Sequence, residues 1–125
     1  MPVTNLAQKF GRLTEYWTPE TYGEVGNVFI KLVKVKGDYV WHANREEDKV
    51  YMVIKGQLRL KFRESADVVI DAGEFYVLPK NTEHLPTAPQ ESHVLLIEPK
   101  SVDMISEKDS AVTEIFMPEI GFLSE

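Results

Sequence analysis

Three histidines, His42, His84 and His93, are the side chains best suited here to holding a metal or moving a proton. The chain has no cysteine, so disulfides, thiolate metal sites and cysteine nucleophiles are excluded. His42 follows Trp41 in an extended stretch, and Asn44 lies two residues on. Residues at i and i+2 of a strand share a face, so His42 and Asn44 are expected to point the same way. His84 follows a proline turn, and His93 lies in an apolar strand, where a packing role is expected.

The elements that would position these groups are mostly strands. Asn5-Leu6-Ala7-Gln8 has the form of a helix cap, and Leu6, Phe10 and Leu13 form one apolar stripe, which predicts a short helix over 5–14. From Asn27 onward the period falls to two. Phe29, Val33 and Val35 alternate with Lys34 and Lys36, and Gly37-Asp38 reads as a turn. Val50 to Ile54, Gln57 to Arg63, Val68 to Ile70, Phe75 to Leu78 and Ser92 to Glu98 follow, separated by turn residues. This is the pattern of an antiparallel sandwich or barrel. Val112 to Met117 could add a strand, and Pro118 to Glu125 is read as a strap or a frayed tail.

The spacings carry a resemblance. Gly73, Pro79 and His84 follow the second cupin motif, with Ala88 where an Asn is usual. Gly37-Asp38-Tyr39-Val40-Trp41-His42-Ala43-Asn44, with Asp48-Lys49-Val50-Tyr51 through Gly56, resembles the first. The chain is similar to small single-domain bacterial cupins of the conserved-barrel group, often labelled mannose-6-phosphate-isomerase-like. The resemblance implies an all-β, double-stranded β-helix (jelly-roll) barrel with a short N-terminal helix. It makes 1–125 one domain, with the motif-bearing core at about 25–100.

In that family two His and a Glu from the first motif and one His from the second hold a metal. Here His42 and His84 fall on the first and last positions, Asn44 replaces the second His, and Lys49 replaces the Glu. An amide oxygen is a poor ligand for zinc, iron, nickel or manganese. An ammonium about 4 Å from a unit charge costs roughly 4 kcal/mol at an effective dielectric near 20, and a dication doubles that. The expected state is therefore a barrel without a tightly bound metal, its pocket made by His42, Asn44, Lys49, Tyr51 and His84 and taking a small polar or anionic ligand. Two alternatives stand beside it. A divalent transition metal on His42 and His84 would support isomerase, lyase or dioxygenase chemistry, with a carboxylate of Glu46-Glu47-Asp48 brought inward. A metal-free, epimerase-like acid–base catalyst would use His42, His84 and Tyr51.

Bulk properties limit the partners. A formal net charge of −6 argues against nucleic acid, and Arg59, Lys61 and Arg63 alternate with Leu58, Leu60 and Phe62 as the solvated side of a strand. Apolar runs such as Val94-Leu95-Leu96-Ile97 are too short for a membrane helix, and the first ten residues lack a signal-peptide core, so a cytoplasmic protein is expected. A homodimer is expected as well, because a small barrel must cover its open edges. Phe116-Met117 and Ile120 to Leu123 are the apolar segments available to pack on the barrel or across that interface.

Overall fold

The computed structural model describes residues 2–44 and 47–100, and the backbone of 104–106. Helix α1 spans Leu6–Phe10, and the strands are β1 (Glu20–Val25), β2 (Val28–Asp38), β3 (His42–Asn44), β4 (Lys49–Lys55), β5 (Gln57–Phe62), β6 (Val68–Asp71), β7 (Phe75–Leu78), β8 (His84–Pro99) and β9 (Met104–Ser106). All pairings between these strands are antiparallel. The all-β jelly-roll expectation, with one short helix at the N-terminus, is what the chain adopts.

β8 organises the barrel. Its first half pairs with β5 through Phe62↔His84 to Arg59↔Thr87, and with β3 through His42↔His84. Its second half lies between β2 and β4, with Val33↔Val94 on one side and Val50↔Ile97 on the other. The two halves are one continuous strand whose register with β2 shifts between Ala88 and Ser92, where the sequence reading began a separate strand at Ser92. Ser92 ties this point to β5: its Oγ accepts from the Gln57 amide and lies 3.0 Å from the Gln57 carbonyl oxygen. Gly56 makes this approach feasible: its φ is +89°, and a Cβ there would come within 2.2 Å of Ser92 Oγ.

Alternation sets what each strand buries. Lys49, Tyr51 and Val53 of β4, and Ser92, Val94, Leu96 and Glu98 in the second half of β8, are buried. Tyr51, Val53, Val94 and Leu96 among them pack with Val33, Val35, Leu58 and Leu60 in one interior cluster. Burying each large aliphatic side chain is worth about 1.5–3 kcal/mol. Leu32 points the other way and meets Phe10 and Leu13, so β2 is buried on both faces. His93 stacks on Phe10 with ring centres 4.5 Å apart, the packing role expected of it.

Three local expectations change. The helix ends at Phe10 with Gly11 as cap, although Leu13 still packs where the apolar stripe put it. Asn5 does cap it, accepting from the Gln8 amide at 2.9 Å. Gly37-Asp38 is not a turn: Gly37 (φ +74°) sits at a register shift inside β2, and the strand runs on to Asp38. β1 was missed because Glu20–Val25 has a weak apolar alternation and a bulge between Thr21 and Gly23. Val112 to Met117, Phe116-Met117 and Ile120 to Leu123 lie outside the described residues.

Candidate functional site

The site lies inside the barrel between β2, β3, β4 and β8. His42 and His84 are cross-strand partners, and their rings meet at 4.3 Å between centres. Both are buried, at 3% and 0% exposure. Each is oriented by its own backbone: His42 Nδ1 donates to the Val40 carbonyl at 2.9 Å, and His84 Nδ1 to the Thr82 carbonyl at 3.0 Å. A carbonyl can only accept, so the hydrogen of each neutral ring is on Nδ1 and the lone pair on Nε2. Tyr51 Oη donates to His84 Nε2 at 2.9 Å.

Electrostatics keep both rings neutral. Burial pulls the His84 pKa down to about 3, helped by the Lys49 charge. Burial likewise holds His42 well below the usual imidazole range, with further lowering from His84 and then Lys49. Lys49 therefore acts on both rings from inside the fold. Its side chain is 3% exposed, its Nζ lies 4.7 Å from the centre of the Tyr51 ring, and Glu98 Oε1 is 3.8 Å away. The other Glu98 oxygen sits 2.6 Å from Lys31 Nζ, an ionic contact whose angles fall outside those of a hydrogen bond. Glu98 is thus a buried carboxylate between two ammonium groups.

Neither Glu98 nor Lys31 was among the candidates read from the sequence. The available signal was register. Glu98 falls on the inward phase of β8 with Val94 and Leu96, and Lys31 shares a phase of β2 with Val33 and Val35. Glu98 offsets part of the Lys49 charge and Lys31 restores it, so the three groups together still carry one net positive charge.

Beside these groups opens a cavity with about 410 Å³ of space between its walls, part of it continuous with solvent. Roughly 30 Å³ of it can hold the centre of a water molecule, so it is narrow. His42, Lys49 and Tyr51 are in the wall, and Val33, Val35 and Leu96 supply much of the apolar lining. Trp17 and Tyr39 also line the cavity, stacked with ring centres 5.1 Å apart, and Tyr39 meets the His42 ring edge-on. Trp17 is held at φ +60°, unusual for a bulky residue, by its amide on the Lys34 carbonyl and its indole N–H on the Lys36 carbonyl.

Of the five residues expected to form one pocket, His42, Lys49 and Tyr51 line this cavity. His84 stands behind them, reached through Tyr51 and His42. Asn44 is buried at 4% exposure, and neither Nδ2 nor Oδ1 has a hydrogen-bond partner among the described residues. Asp48 is exposed and its Oδ1 accepts from the Lys80 amide, so that carboxylate faces away from the imidazoles. Glu46 lies outside the described residues.

The metal that the family resemblance implies does not fit these residues. One imidazole lone pair is taken by Tyr51 Oη. An ammonium occupies the wall where an acidic ligand would be needed, and the carboxylate nearest to it is held between two lysines. Among the described residues no three His, Cys, Asp or Glu side chains are grouped to hold an ion.

Comparison with known proteins agrees with the barrel. A cupin-2 domain protein from Shewanella frigidimarina is 39% identical, with a TM-score of 0.75 over 78% of this chain and 94% of its own. A Neisseria meningitidis protein of known structure is 33% identical, with a TM-score of 0.71 over 78% and 99%. The uncharacterized protein YdbB of Bacillus subtilis is 26% identical over 82 residues, 66% of this chain and 73% of its own. Residues 30–98 match the cupin domain family, a span that runs from within β2 to within β8, and the chain belongs to that family.

Proposed function

We propose that this cupin binds a small molecule with an apolar, flat body and one anionic or hydrogen-bond-accepting group, and that it does so without a metal. The observation that carries this reading is Lys49, an ammonium buried in the wall of an otherwise largely apolar cavity. A desolvated cation aimed into such a space orients a negative or acceptor group, while Trp17 and Tyr39 offer ring faces to the body of the ligand. His42 Nε2 adds an acceptor, so a ligand hydroxyl beside the anionic group would be recognised as well. The mannose-6-phosphate-isomerase-like resemblance adds phosphorylated sugars to the ligand classes worth screening.

The Tyr51–His84 hydrogen bond favours a second reading, metal-free acid–base catalysis. An imidazole whose pKa is lowered to about 3 is a weak base near neutral pH, which ranks that reading behind binding. A cytoplasmic homodimer belongs to the same proposal. Val69, Phe75 and Val77 leave an apolar outer surface on β6 and β7, strands that each pair on one side only among the described residues.

The test uses the full chain purified without a chelating tag and exposed to zinc, nickel, iron and manganese. Elemental analysis after dialysis is expected to find sub-stoichiometric metal. Titration with benzoate, phenyl phosphate and mannose 6-phosphate is expected to move the Trp17 indole resonance for at least one of them. One equivalent of retained metal that perturbs His42 and His84 would overturn the reading.

A further inference from the structure

Lys49 is the one buried lysine among the described residues, at 4% exposure, and it lines the cavity, which is partly open to solvent. We propose that Lys49 is a covalent site: its amine condenses with the aldehyde or ketone carbonyl of an apolar molecule held in the cavity, giving a protonated imine. The proposal rests on reading the cavity as a small-molecule pocket.

Three features of the surroundings suit this chemistry. The first is a proton acceptor in reach, Glu98 Oε1 at 3.8 Å, which takes a proton from the Lys49 ammonium and frees the lone pair. The amine nitrogen then attacks the carbonyl carbon, the C–O π bond breaks, and a proton passes from nitrogen to the new alkoxide to give a carbinolamine. Glu98 returns its proton to the hydroxyl, water leaves with the C–O bonding pair, and the nitrogen lone pair forms the C=N bond. An ammonium and a carbonyl become an iminium and a water, with no oxidant or reductant consumed.

The second feature is charge. Lys49 and Lys31 flank Glu98, and an iminium keeps the positive charge of the ammonium it replaces, so the buried ion arrangement is conserved. Capture of carbon dioxide by the same amine would instead place a carbamate anion beside Glu98, a like-charge contact in a desolvated setting. The third feature is the wall. Val33 and Leu96 line the same cavity as Lys49, and the Tyr51 ring centre lies 4.7 Å from its nitrogen, so an imine there meets mostly apolar and aromatic surface and little of the water that hydrolyses it.

The probe is benzaldehyde, with propanal as a smaller one, at limiting concentration with the full-length protein. Borohydride traps the imine, and peptide mass spectrometry locates the reduced adduct. Lys49 is expected to carry it about tenfold or more ahead of exposed lysines such as Lys36 and Lys61, because the cavity holds the carbonyl beside the amine and Glu98 is at hand to move the protons. Excess benzoate should suppress labelling at Lys49 and leave the exposed lysines unaffected. Lys49→Arg is expected to keep the cation and lose the adduct. Labelling of wild-type Lys49 no faster than that of Lys36 overturns the proposal, and this readout needs no variant to fold. If benzoate still shifts the Trp17 indole in that case, pocket binding stands and only the covalent step falls. If neither labelling nor a shift is seen, both fall.

Discussion

The two ends of β8 bury polar side chains in opposite ways. At its start His84 is 0% exposed and, with His42, sits among neutral partners: a carbonyl, a phenol and another imidazole. Near its end Glu98 is 2% exposed and lies between Lys31 and Lys49. Desolvation is common to both. The difference lies in what each side chain can do about it: an imidazole gives up its charge at modest cost, whereas the carboxylate has two cations at hand to balance it. A metal site of this geometry would need the anion beside the imidazoles, and the fold places it among the lysines.

The comparison is broken most severely by acid. Unfolded histidine takes up a proton near pH 6.5, whereas folded His84 does so only at about 3. Between those values the unfolded chain binds more protons, so stability is full above about 6.5 and is lost as pH falls toward 3. His84 should contribute a slope of up to about 1.4 kcal/mol per pH unit in urea titrations across that window, and His42, lowered in the same direction, adds to the loss in acid. A flat profile would show that the rings are hydrated in solution.

The charged end is tested by unequal removal of its members. Glu98→Gln leaves Lys49 buried beside a neutral amide and should cost about 3 kcal/mol in urea unfolding at neutral pH. Lys49→Met leaves Glu98 with Lys31, so a smaller loss of about 1 kcal/mol is expected. Equal losses would mean that Lys31 does not serve Glu98. The acid slope should persist in Glu98→Gln, because it belongs to the other end of the strand.

The smallest effect sharpens the neutral end. Tyr51→Phe removes the donor to His84 Nε2 and should cost about 1 kcal/mol of stability, with a shift in the His84 Nε2 nitrogen resonance. An unchanged resonance would place the hydroxyl elsewhere.

Much of this was legible in the sequence because the barrel is written in alternation. Lys49, Tyr51 and Val53 point inward as their phase requires, and motif spacing alone brings His42 and His84 together. What escaped was pairing across distance. Nothing local marks Glu98 as the partner of Lys31 and Lys49, since that contact joins three strands. Gly37 looked like a turn because a glycine at positive φ serves turns and bulges alike, and only the register with β8 separates the two. β1 escaped because its residues are held by β2 more than by an apolar face of their own.

That a single strand holds β2, β3, β4 and β5 together has a kinetic consequence. The pairing of Val28–Asp38 with His84–Pro99 joins residues 49 (Asp38↔Thr87) to 71 (Val28↔Pro99) positions apart, so a long loop must close before either half gains support. Closure of the barrel should therefore be late and cooperative, and slow for a domain of this size. During synthesis the earlier strands wait for the last of these residues to leave the ribosome, so a chain cut within β8 has no template on which to assemble.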